Sequence, residues 1–238
     1  MSATSKPYGW HAVPRNPATA LQGKTKLATP KPFSTTDIKY PDTKLVRQSL
    51  ARVEKELAPE TLNHSLRVYY FGMAIVRTQF PAWLSDGWLD EETWLLVCLF
   101  HDIGTTHHAL RSTHMSFDFW GGIEALQTLQ SFGADKSQAE SVAECIIRHQ
   151  DPGETGSISC VGLLVQLATL LDNAGKFKDL VHPETIKNVV EKYPRNGWSG
   201  CFAKTIREEI GLKPWAHSTA IDGFAEMVED NELMKEYD

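Results

Sequence analysis

WLLVCLFHDIGT, residues 94–105, joins a seven-residue apolar run to an adjacent histidine–aspartate pair. The run from Trp94 to Phe100 has no charged side chain, so it belongs in a protein interior. It is far shorter than the roughly 20 residues a membrane span needs. Upstream, Asp90 is a good N-cap, and Glu91 and Glu92 suit the positive end of a helix. Gly104 reads as the C-terminal glycine that stops it. One helix therefore carries His101 and Asp102 to the edge of an apolar core. A carboxylate there is costly to bury alone. It needs an arginine, a set of backbone donors or a metal ion.

Working outward, the pattern stays helical. In residues 42–57, Leu45, Val46, Leu50, Val53 and Leu57 form one stripe. Pro59 opens the next helix, at a position that needs no N–H donor, and His64, Val68, Phe71 and Ile75 share a face of it. Downstream, helices are expected within Ser116–Ser131, closed by Gly133, and over Lys136–Gln150, with His149 on the apolar side. Ser159 caps CVGLLVQLATLLDN, apolar nearly all round and so central, which ends near Gly175. Two or three shorter helices follow Pro183, Trp198 and Ile221. No useful strand alternation appears. The fold class is all-α: a helical domain over residues 37–238, preceded by an extended arm over residues 1–36. That arm holds Pro7, Pro14, Pro17, Pro30 and Pro32, with Trp10 and Phe33 as anchors.

Polar residues on apolar faces mark the candidate chemistry. His64 lies on such a face, and Asp172 ends the run LLVQLATLL. A lone histidine of this kind is ordinarily a hydrogen-bonded core residue, and a lone aspartate a cap or half of an ion pair. The adjacent pair changes those odds, because helix neighbours point about 100° apart and both can reach one crevice. His64, His101, Asp102 and Asp172 then offer two nitrogens and two oxygens, a set suited to zinc, iron or manganese. Thr169, one turn before Asp172, either serves the site or bonds to the carbonyl of Val165. His149 reads as a proton shuttle or a satisfied core histidine. His107, His108 and His114 follow the pair in a loop, as a second metal site or as solvated residues at its mouth.

The order H…HD…D resembles the HD superfamily of helical metal-dependent hydrolases. NHSLRVYYFG, CLFHDIGT, MSFDFWGGIEAL, AECIIRHQD, QLATLLDNAG, YPRNGW and KPWAHST are similar to segments of the fungal cyanamide hydratase family. The resemblance runs from about Tyr40 to the end. It implies an HD-domain helical bundle with His64, His101, Asp102 and Asp172 on zinc, iron being possible. It also implies a hydro-lyase reaction, water adding to cyanamide to give urea, with Asp102, Thr169 and His149 as catalytic candidates. One alternative is the nucleotide phosphohydrolysis common among HD proteins. Many of those read HDIGK, whereas Thr105 stands here, although Arg67, Arg148 and Lys176 lie near the site. Another is a catalytically silent HD binding module.

The remaining totals narrow the partners. A net charge of −6 without a basic block argues against a nucleic-acid or polybasic membrane surface. Cys98, Cys145, Cys160 and Cys201 form no CxxC pair and read as reduced cysteines. With no secretory or lipidation signature, the expectation is a cytoplasmic protein acting on a small neutral substrate, with a homo-oligomer possible.

Overall fold

The computed structural model describes residues 8–22 and 28–238. The arm's first seven residues, Pro7 among them, and residues 23–27 lie outside the described set.

Helix α1 (Pro17–Gln22) lies in the arm, and α2 (Lys44–Glu56) opens the helical body behind Thr43, whose side chain accepts from the amide of Val46. Then come α3 (Pro59–Gln79), α4 (Pro81–Ser85) and α5 (Glu91–Phe100). Asp90 caps α5 by accepting from the amide of Thr93, as its sequence suggests. Next are α6 (His107–Ser112), α7 (Phe117–Ser131), α8 (Lys136–Arg148) and α9 (Cys160–Ala174). The last three are α10 (Pro183–Lys192), α11 (Trp198–Leu212) and α12 (Phe224–Glu229). The protein is all-α. None of the described helices is long and apolar enough to cross a membrane.

Helix α9 is almost wholly buried and packs on α3, α5, α8 and α12. It stops at Gly175, which takes the left-handed conformation that glycine adopts without strain. A second apolar cluster, built by α11 and α12 with Leu110 and Phe117, closes over the ends of α3 and α9. All four cysteines are free thiols, three of them buried.

Three expectations need correction. α5 ends at Phe100, and Gly104 sits in a following 3-10 turn rather than at a left-handed helix stop. Its constraint is space, because a Cβ there would stand 2.1 Å from the carbonyl oxygen of Phe117. α8 ends at Arg148, so His149 and Gln150 occupy the turn after it. Two short strands also exist: β1 (Ala12–Pro14) pairs antiparallel with β2 (Ser157–Ser159), Val13 opposite Ile158. Each has three residues, too few to show alternation in a sequence. The pairing ties the arm to the start of α9. Trp10 stays 44% exposed and is fastened mainly by its Nε1, which donates to Ser137 Oγ at 3.0 Å.

Candidate metal centre and its cavity

α3 and α5 bring three donors together. His64 Nε2 lies 3.1 Å from His101 Nε2 and 3.6 Å from Asp102 Oδ2, and His101 Nε2 lies 3.3 Å from the same oxygen. These are the one group of three metal-ligand side chains that close together among the described residues. All three side chains are buried.

The surrounding hydrogen bonds fix the tautomers. His101 Nδ1 donates to the carbonyl of Cys98 at 2.8 Å, which leaves its Nε2 as a lone pair. His64 Nδ1 donates to Asp172 Oδ2 at 2.6 Å, so its Nε2 is a lone pair as well. Two such lone pairs face each other across 3.1 Å, and they repel unless a proton or a cation lies between them. Both oxygens of Asp102 are buried without a hydrogen-bond partner. A buried carboxylate without donors and two converging imidazole nitrogens are what a divalent cation requires. The donor set fits a metal ion.

Charge follows from these contacts. Burial, against which Asp172 pulls, leaves His64 pushed down to about 4. Burial also opposes charge on His101, but the Asp102 carboxylate beside it wins and holds its pKa above the usual histidine value. Burial would raise Asp102 too, yet His101, His64 and His149 hold it below the ordinary carboxylate range.

Asp172 occupies a different place from the one its sequence position suggests. It is absent from the three-donor group and stands behind His64, on the Nδ1 side. Arg67 grips it with Nε at 2.9 Å from Oδ1 and Nη2 at 2.8 Å from Oδ2. Arg195 adds Nη1 at 3.0 Å from Oδ1. Both guanidinium groups are fully buried, and despite burial they hold the Asp172 carboxyl well below its usual range. Each oxygen is already shared by two donors, so the group is spent in orienting His64. Carboxylates do this for metal-bound histidines elsewhere. Trp198 stacks on the His64 ring at 4.3 Å and fixes its plane.

His149 reaches the centre from the turn after α8. Its Nδ1 donates to the carbonyl of Ile146 at 2.6 Å, and its Nε2 lies 3.8 Å from Asp102 Oδ1. Burial, helped by His101, lowers its pKa and keeps the ring neutral. Thr169 donates to the carbonyl of Val165 at 2.8 Å, the helix-internal bond open to any such threonine. Its lone pairs remain, and with His149 it lines a cavity of about 90 Å³ between α9, α11 and α12. Gln150, Asn173, Phe202 and Phe224 complete much of that wall. A larger recess of about 1080 Å³ near Lys44 and Glu92 holds none of these side chains.

His107 and His108 begin α6 and are exposed, as is His114, and none joins a metal-ligand group. Of the cations near the site, Arg67 is spent on Asp172, and Arg148 pairs with Glu144 and Asp151. Lys176 lies on the cavity wall. The sequence reading missed Arg195 and Trp198. Their signal was the segment YPRNGW, singled out only by likeness. Two other such segments meet where His217 Nδ1 contacts Asp118 Oδ2 at 2.5 Å.

The HD domain family model matches residues 61–174, which contain all four proposed ligands. Two proteins of Saccharomyces cerevisiae, the cyanamide hydratases DDI2 and DDI3, are each 40% identical over 227 residues, covering 93% of this chain and 95% of theirs. A crystal structure of a predicted HD superfamily hydrolase from an uncultured Thermotogales bacterium is 22% identical, covers 69% of this chain and 88% of its own, and superposes with a TM-score of 0.39.

Proposed function

The chain belongs to the cyanamide hydratase family of HD-domain proteins, and from that premise we propose that it is an enzyme that adds water to the nitrile of cyanamide and releases urea. Water addition across a carbon–nitrogen triple bond makes it a hydro-lyase. The observation that carries the reading is the buried, unpartnered carboxylate of Asp102 beside two imidazole lone pairs, next to a small cavity.

His64, His101 and Asp102 would hold zinc, with iron the chemical alternative for the same donors. Three protein ligands leave positions open, as in catalytic zinc sites. When bound, the ion would supply Lewis acidity, to make water nucleophilic near neutral pH and polarise the nitrile. The chain does the rest. The neutral Nε2 of His149 accepts a proton from the attacking water and returns it to the nitrile nitrogen. Thr169 offers lone pairs to the substrate or the water. Isourea forms and tautomerises to urea. Arg67 and Arg195, through Asp172, keep the His64 Nδ1 proton in place, so that its Nε2 lone pair would be free for the ion. A phosphate substrate would find Arg67 and Arg148 already engaged, with Lys176 the cation on the cavity wall.

Purified protein given cyanamide should form urea, and a chelator should stop it until zinc is restored. Fully metallated protein that yields no urea would overturn the proposal. Phosphate release from a nucleotide panel by the same sample would replace it with the phosphohydrolase reading.

A further inference from the structure

Gln150 is at least nine-tenths buried, lines the cavity beside His149 and Thr169, and carries an amide oxygen with no partner. Its orientation follows from its neighbour. His149 spends its ring proton on the carbonyl of Ile146, so its Nε2 can only accept. The Gln150 Nε2 faces that lone pair from 3.4 Å, beyond ordinary hydrogen-bond length, so the ring nitrogen stays available to take a proton. The amide oxygen is thereby left as an acceptor without a donor, which is costly in a buried place.

The turn that presents Gln150 is held on both sides. Gln166 Nε2 donates to the carbonyls of Arg148 and Asp151 at 2.9 and 3.1 Å. From the arm, Arg15 Nε and Nη2 donate to the carbonyl of Asp151 at 3.2 and 3.0 Å. Two side chains thus clamp the backbone on either side of residues 149 and 150. An acceptor fixed so firmly and left unpaired suits a ligand that brings its own N–H.

We propose that the Gln150 amide oxygen accepts a hydrogen bond from the amino group of the substrate and so selects cyanamides that retain an N–H. This rests on the hydratase reading and adds a residue to it. In cyanamide the amino lone pair is delocalised into the nitrile, so the amino group donates and the nitrile nitrogen accepts. With the nitrile directed at the metal centre, the amino end is the one left for Gln150. N,N-dimethylcyanamide carries no such hydrogen and would leave the oxygen unpaired.

The test compares the metallated enzyme and its Gln150→Met variant on cyanamide, N-methylcyanamide and N,N-dimethylcyanamide, with metal content measured on each sample. The native protein should hydrate the first two and discriminate against the third. Gln150→Met should reduce that discrimination by about three- to tenfold, chiefly through a higher KM for cyanamide, with metal content unchanged. Native enzyme that forms urea but hydrates N,N-dimethylcyanamide equally well overturns the assignment, whether or not the variant folds. So does a variant with unchanged discrimination, and in both cases the hydratase reading stands. If the native enzyme forms no urea, that reading falls and the role of Gln150 falls with it.

Discussion

Asp102 and Asp172 stand on opposite sides of the His64 ring, both fully buried, and the fold treats them in opposite ways. Asp102 faces Nε2 with two oxygens that no protein donor meets. Asp172 faces Nδ1 with two oxygens shared among His64, Arg67 and Arg195. A stable core satisfies a buried charge internally, and the Asp172 region does so. The Asp102 region forgoes that stability and leaves its charge open, as the proposed ion would require. On the proposed reading one carboxylate serves the fold and the other the chemistry, with a single imidazole between them.

The largest expected effect comes from removing the second kind. Asp102→Ala should lose bound metal, and urea formation should fall to background. In metal-free protein the same change should cost less stability than the loss of Asp172 does, because only neighbouring histidines, and no hydrogen-bond donor, compensate that charge. Metal analysis, a urea assay and denaturation in chelator check the three parts. A large loss of metal-free stability would break the contrast.

Asp172→Ala should behave the other way round. It strands two buried guanidinium groups, and removing one partner of a buried ion pair costs about 3–5 kcal/mol. Metal affinity should weaken by about 10–100-fold, the usual effect of deleting a group that orients a ligand, rather than vanish. Complete loss of metal with little loss of stability would instead return Asp172 to the ligand set.

Acid should reveal the two sides in sequence. His64 is pushed down to about 4 in the fold, so between about pH 6.5 and that value the unfolded chain binds its proton first. The His64 contribution to metal-free stability should therefore decline as pH drops through that window, offset in part by His101, whose raised pKa works the other way. Asp172 is held well below its usual range, so its contribution is present above about pH 4 and lost as pH falls further. Denaturation midpoints across pH 3–8 check this, and Asp172→Asn should shrink the lower limb, to which Asp102 also contributes, while keeping the upper one.

Much of this architecture was legible because it is local. The caps at Asp90 and Ser159, the proline opening α3 and the stop at Gly175 are short-range signals, and the structure uses each of them. The His101–Asp102 pair stood out for the same reason, as charge at the end of an apolar run. What stayed hidden depends on distant partners. Nothing near Asp172 in the chain announces that Arg67 and Arg195, 105 and 23 residues away, will saturate it. In the sequence Gln150 is only the end of a helix, since an orphaned amide oxygen exists only once the turn around it is folded. Gly104 was assigned to a helix stop because its real constraint, the Phe117 carbonyl, comes from another helix.

The smallest expected effect lies at Thr169, one turn before Asp172 on α9, and it sharpens the comparison most finely. Its hydroxyl already donates to the carbonyl of Val165, so the fold has a use for it, yet its lone pairs line the cavity. It is thus pulled both ways, where the two aspartates are each committed to one side. Thr169→Val keeps the shape and removes the oxygen. Because the lost helix bond is weak, stability and metal content should hold. kcat/KM for cyanamide should fall about three- to tenfold. Unchanged kinetics in a fully metallated variant would place Thr169 with Asp172, as a residue that serves the helix alone.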